Sequence, residues 1–119
     1  MELGEVNFKP IAFVRSTNKM IIALDYDETF TIEPDMWMDF LRMAQAWDFQ
    51  VIIATGRKGW TPDIERQRHN LEKFDDIVFC GDEYKSSACK GAGYEVNVWI
   101  DDMPQMISPS LLIGSNNEL

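Results

Sequence analysis

Two uninterrupted apolar runs, MIIAL at residues 20–24 and VIIA at residues 51–54, constrain this chain more than any other feature. A strand with one wet face alternates apolar and polar residues, whereas a strand covered on both faces has no reason to alternate. Burial on both faces is characteristic of parallel sheets, and parallel neighbours need a long crossover between them. The intervening segment supplies one: Met36, Trp37, Phe40, Leu41, Met43, Ala44 and Trp47 recur at helical spacing, with Asp35, Asp39, Arg42 and Asp48 on the other side. The unit therefore reads β, α, β.

A second unit follows. Thr61 as N-cap and Pro62 as first helical residue open a mostly polar helix predicted to run to about Lys73, and IVFC at residues 77–80 is the next strand. Residues 85–90 form a short helix closed by the glycines of GAG, VNVWI at residues 96–100 is a fourth strand, and a last one is expected at residues 111–113. Residues 8–14 read as an added edge strand. There is no repeat, low-complexity tract or linker. The pattern predicts an α/β fold of one domain over residues 1–119, a doubly wound parallel sheet with right-handed crossovers.

With 119 residues and 45% hydrophobic content, the chain has enough apolar material for one core. Eleven Lys plus Arg against 20 Asp plus Glu give a formal charge of -9, which opposes extended nucleic-acid binding or attraction to an anionic membrane. The N-terminal stretch MELGEVNFKP has neither the charge pattern nor the apolar run of a signal peptide or membrane span. Cys80 and Cys89 lack CxxC spacing and read as reduced thiols, so a cytoplasmic location is expected.

In an open α/β sheet the ligand site lies beyond the carboxyl ends of the strands. Asp25 and Asp27 follow the first strand, Thr55 ends the second, Lys85 follows the third by a short loop, and Asp101 and Asp102 end the fourth. Carboxylates converging there repel one another unless a cation joins them, and a hard divalent ion with oxygen ligands is the natural candidate. Magnesium suits a small octahedral site that still admits a phosphate oxygen. A calcium loop starting at Asp25 fails on spacing, because its sixth position is Phe30 rather than Gly and its twelfth is Met36 rather than Glu. Taken singly, Thr55 reads as a turn hydroxyl, Lys85 as a solvated lysine and the Asp101–Asp102 pair as a strand-ending turn. Their order along successive strand ends is what points to function.

That order, in ALDYDETF, VIIATGR, EYKSSACKGAG and VWIDDMPQ, resembles the phosphatases of the haloacid dehalogenase superfamily over residues 20–105. The resemblance implies that Asp25 is the nucleophile, Asp27 the general acid and base, Thr55 a phosphate ligand and Lys85 the cation that neutralises phosphate. It also implies Mg²⁺ held by Asp25, the main-chain carbonyl of Asp27, and Asp101, with Asp102 beside them, directly or through water. Lys90 competes for the lysine role, but it lies at the far end of the helix that Lys85 begins. A carboxylate nucleophile would split phosphate-ester hydrolysis into two displacements through an aspartyl-phosphate.

Receiver domains of two-component signalling are the alternative, a phospho-accepting fold without turnover. Their acidic pair comes early and their phosphorylated Asp ends a later strand, the reverse of the order here. Neither residues 30–50 nor residues 55–85 leave room for an inserted cap domain. Capless members of the superfamily typically act on large substrates with accessible phosphates, such as phosphoproteins or nucleic-acid ends, or borrow a neighbouring subunit as a lid, so a phosphorylated substrate is expected. Arg57, Lys58 and Trp60 form a candidate patch for a terminal phosphate, with Trp60 either stacking on a base or packing on the following helix. His69 is expected in solvent and the methionines as core filler.

Overall fold

The computed structural model describes residues 19–109. Four strands, β1 (Ile21–Leu24), β2 (Gln50–Thr55), β3 (Asp76–Phe79) and β4 (Val98–Ile100), form one sheet in the order β3-β2-β1-β4, and every pairing is parallel. The helices are α1 (Pro34–Ala46), α2 (Pro62–Glu65), α3 (Arg68–Leu71) and α4 (Lys85–Gly91). Single 3-10 turns lie at Phe30–Ile32 and Pro104–Met106.

The apolar runs are buried on both faces, and the alternation of side chains along each strand sorts them into two cores. Ile22, Leu24, Val51 and Ile53 face one side, where Met38, Leu41 and Ala44 of α1, Ile64, Leu71 and Phe74 cover them. Ala23, Ile52 and Ala54 face the other, against Val78, Cys80 and Cys89, with Ala88, Tyr94 and Trp99 packed around them. The sheet is therefore wound on both sides. Full burial of Leu24, Ile52 and Ile53 contributes about 1.5–3 kcal/mol each.

Winding starts outward from β1 through β2 to β3, then returns so that β4 pairs with the free side of β1. The switch point thus falls between β1 and β4, and it is tied there by the Asp25 N–H donating to the Ile100 carbonyl at 2.9 Å.

Several expected boundaries shift. The N-terminal part of the predicted fourth strand does not form, because Asn97 holds the start of β1 instead: its side-chain oxygen accepts from the Ile21 N–H, and its own N–H donates to the Ile21 carbonyl, both at 2.8 Å. The single helix predicted over residues 61–73 is two short pieces. The Gln67 N–H turns to the Ile64 carbonyl, three residues back, and between Ile64 and Leu71 no apolar side chain holds a middle turn to the sheet. Helix α1 forms as predicted but presents a narrower face. Met38 is buried, while Met36, Met43 and Trp47 are exposed, so Met38 is the only core methionine among the described residues. The expected strands at residues 8–14 and 111–113 lie outside the described residues.

Helix α1 ends in a Schellman arrangement, with Asp48 at φ 68°, its N–H on the Gln45 carbonyl and the Phe49 N–H on the Ala44 carbonyl. Both cysteines are free and buried. Among the described residues no helix is long and apolar enough to cross a membrane.

Candidate active site

At the carboxyl end of β1 the chain makes one wide turn. The Phe30 N–H returns to the Asp25 carbonyl at 3.2 Å and the Thr31 N–H to the Tyr26 carbonyl at 3.1 Å, each closing over five residues. Glu28 takes a left-handed backbone, φ 65°, and its N–H is held by the Thr31 hydroxyl at 3.0 Å. A non-glycine residue in that region stores strain, a feature concentrated at functional sites. The turn sends Asp25 and Asp27 into different surroundings.

Asp25 points into the molecule. Its Oδ1 accepts from the Lys85 ammonium at 2.7 Å and its Oδ2 from the Thr29 hydroxyl at 3.3 Å. Lys85, the first residue of α4, also donates to Asp101 Oδ2 at 2.7 Å, so one buried ammonium bridges the ends of β1 and β4. The side chains of Lys85, Asp25 and Asp101 are 7%, 8% and 3% exposed. The other oxygen of Asp101 accepts from the Met103 N–H at 2.9 Å, and the start of α4 is pinned by the Ser86 N–H on the Ile107 carbonyl at 2.9 Å. Burial pushes the Asp25 carboxyl up to about 6, with the Lys85 hydrogen bond and charge pulling the other way. Burial lowers the proton affinity of Lys85, but its bonds to Asp101 and Asp25 outweigh that and raise it overall.

Asp102 is exposed and completes the cluster. Asp25, Asp101 and Asp102 each offer a carboxylate oxygen, and these lie within 4.8 Å of one another, a grouping that could hold a metal ion. All the donors are hard oxygens, which fits a hard divalent cation. Asp27 contributes no side chain to this grouping.

Asp27 is instead half-exposed and paired with Arg57. Arg57 Nε donates to Asp27 Oδ2 at 3.0 Å and Nη2 to Oδ1 at 2.8 Å. Thr55 closes β2, fully buried, with its hydroxyl accepting from the Arg57 N–H at 3.2 Å.

The structure thus brings Asp25, Lys85, Asp101 and Asp102 together and places Asp27 on the turn after β1 and Thr55 at the end of β2. Lys90 is exposed at the distal end of α4. The patch of Arg57, Lys58 and Trp60 is not assembled. Arg57 is turned inward, Lys58 pairs with Asp82 at 3.4 Å, and Trp60 packs edge-on against Phe79 with the Arg68 guanidinium 3.9 Å from its ring centre. His69 is exposed as expected. Two contributors escaped the sequence reading. Thr29 lies four residues after Asp25, a spacing that signals contact only once a helical turn is known to form, and the partnership of Arg57 with Asp27 spans 30 positions with no local signal. No protein-family model, curated protein or solved structure matches the chain.

Proposed function

We propose that this chain is a Mg²⁺-dependent phosphomonoester hydrolase of the haloacid dehalogenase type, a small capless member working through an aspartyl-phosphate on Asp25. The observation that carries this reading is the bridge of Lys85 between Asp25 and Asp101 at the switch point, with Asp102 alongside. Asp25, Asp101, Asp102 and the Asp27 carbonyl would hold Mg²⁺, which when bound neutralises charge on a phosphoryl group and on the attacking carboxylate.

The chain's own groups do the rest. An Asp25 oxygen attacks phosphorus, the bond to the leaving oxygen breaks, and Asp27 gives that oxygen its proton. Water then attacks the same phosphorus as Asp27 takes its proton, releasing inorganic phosphate and restoring the Asp25 carboxylate. Lys85 and the Thr55 hydroxyl offset the phosphate charge and orient its oxygens.

Between β1 and β2 the chain holds only the 3-10 turn and α1, and between β2 and α4 only α2, α3 and β3. With no inserted element in either of these two intervals, the reading favours phosphate presented on a large partner such as a phosphoprotein or a nucleic-acid end. The decisive experiment is hydrolysis of an aryl phosphate with added Mg²⁺. The parent chain should turn over and Asp25→Ala should lose turnover by several orders of magnitude. A parent that takes up phosphate without releasing it would instead make the chain a receiver-like switch, and Asp25→Ala at the parental rate would remove Asp25 from the chemistry.

A further inference from the structure

Arg57 is the most fully engaged side chain of the site's rim, and the proposed chemistry leaves it without a role. Four of its five N–H groups are hydrogen-bonded: two go to the Asp27 carboxylate and the two of Nη1 to the Thr61 hydroxyl and Asp63 Oδ1 at 2.9 Å each, while Nη2 also stands 2.8 Å from Asp63 Oδ2 as an ion pair. Its guanidinium carbon sits 5.4 Å from the ring centre of Tyr26, a buried side chain stacked on Phe30 at 5.8 Å. The fork is therefore fixed on three sides by groups outside the reacting centre. Its hydrogen bonds run to Asp27, Thr61 and Asp63, so the guanidinium is committed to holding these side chains.

From this geometry we infer that Arg57 is the positioning residue for Asp27, held in place by Asp63, Thr61 and Tyr26. The inference rests on the reading of Asp27 as the general acid and base. Asp27 is half-exposed beside the strained Glu28, and a carboxylate there is free to swing through several rotamers unless it is held. Acid–base assistance needs its oxygen within about 2.6–3.2 Å of the leaving oxygen. A two-point fork fixes both the place and the plane of the carboxylate, which a single ammonium cannot do. It takes two of about four lone-pair sites on Asp27, so the outward ones remain for the leaving oxygen and then for water.

The test compares phenyl phosphate, whose leaving oxygen needs a proton, with 4-nitrophenyl phosphate, whose leaving oxygen needs it far less, in parent, Asp27→Asn, Arg57→Met, Arg57→Lys and Asp63→Asn. Arg57→Met should lower kcat on phenyl phosphate at least about 10-fold more than on 4-nitrophenyl phosphate, a part of the roughly 10²–10⁴-fold that acid–base assistance supplies. Arg57→Lys should stay impaired, because it restores charge without the fork. Asp63→Asn, which leaves the guanidinium over Tyr26, should show the same bias in milder form and serves if Arg57→Met melts early. In the Asp27→Asn background, Arg57→Met should add nothing. An unbiased Arg57→Met beside a biased Asp27→Asn overturns the inference alone, as does full recovery in Arg57→Lys or a rise in KM with kcat unchanged. An unbiased Asp27→Asn overturns the acid–base reading itself, and this inference with it.

Discussion

Replacing Lys85 with methionine removes one buried charge while keeping the length of the side chain, and the structure sets the size of the effect. The ammonium lies 2.7 Å from both Asp25 and Asp101, in a place where all three side chains are almost fully enclosed. Breaking a buried pair by removing one partner costs about 3–5 kcal/mol, because the other is left charged and unpaired. Here two carboxylates are left facing each other, which favours the upper end of that range. Proton uptake works against it. The Asp25 carboxyl is already pushed up to about 6, and loss of the neighbouring cation raises it further, so at pH 7 the site can shed a charge by protonation. A net loss of about 3 kcal/mol follows, which at a urea slope of about 1–3 kcal/mol per molar lowers the unfolding midpoint by about 1–3 M. Divalent cation should reverse much of this. At 100 times its Kd a ligand stabilises by about 2.7 kcal/mol, and Mg²⁺ meets less repulsion once the ammonium is gone, so it should raise the midpoint more in Lys85→Met than in the parent. Urea titrations of both proteins, with and without Mg²⁺, measure each quantity. A variant as stable as the parent, or one that Mg²⁺ stabilises no more than the parent, refutes the electrostatic account.

Asp101→Asn should weaken Mg²⁺ affinity by about tenfold or more, read by calorimetric titration; an unchanged Kd moves the ligand role to Asp102. Mg²⁺ affinity should also fall with acidity. The folded-state proton affinity of Asp25 is raised from 3.8 to about 6, so the stability that its proton contributes is full below about 3.8 and is lost as pH rises through about 6, while the metal requires the ionised form. Titrations at pH 7.5 and pH 5 should show the weaker binding at pH 5, and equal affinities would contradict the assignment of Asp25 as a ligand.

What the sequence made legible follows from the parallel sheet. Runs such as IIAL and VIIA announce burial on both faces, parallel strands all point one way, and residues just past their ends share one edge. Asp25, Lys85 and Asp101 could be placed together on that basis alone, and their hydrogen bonds join the ends of β1 and β4. The face of α1 was not legible. In PDMWMDFLRMAQAW, methionine and tryptophan occur around much of the helix, so periodicity leaves the buried stripe ambiguous, and packing against Ile22, Leu24 and Val51 selected Met38 over Met36. Arg57 was illegible for a different reason. A cation two residues after Thr55 looks like a substrate contact, and only the tertiary approach of the β1 and β2 loops shows that Asp27 and Asp63 already consume it.

The same distribution of cations explains how the site tolerates so many carboxylates. Lys85 serves Asp25 and Asp101 in the interior, and Arg57 serves Asp27 and Asp63 at the rim, so the two aspartates of DYD never share a counter-ion. In the proposed mechanism Asp25 attacks as a carboxylate while Asp27 gains and loses a proton, and separate cations let the two be set independently, with Lys85 opposing the burial that raises the Asp25 carboxyl. It also leaves a defined residue of charge. In the inner cluster, three carboxylates stand against one ammonium, an excess of two negative charges when all are ionised. One divalent cation balances that excess, whereas a monovalent ion leaves the cluster anionic and repels a phosphate dianion. The proposed metal is thus set by charge as well as by ligand type. Removing Asp102 or Lys85 alters that balance by one unit in opposite directions, so Asp102→Asn should weaken divalent binding while Lys85→Met strengthens it.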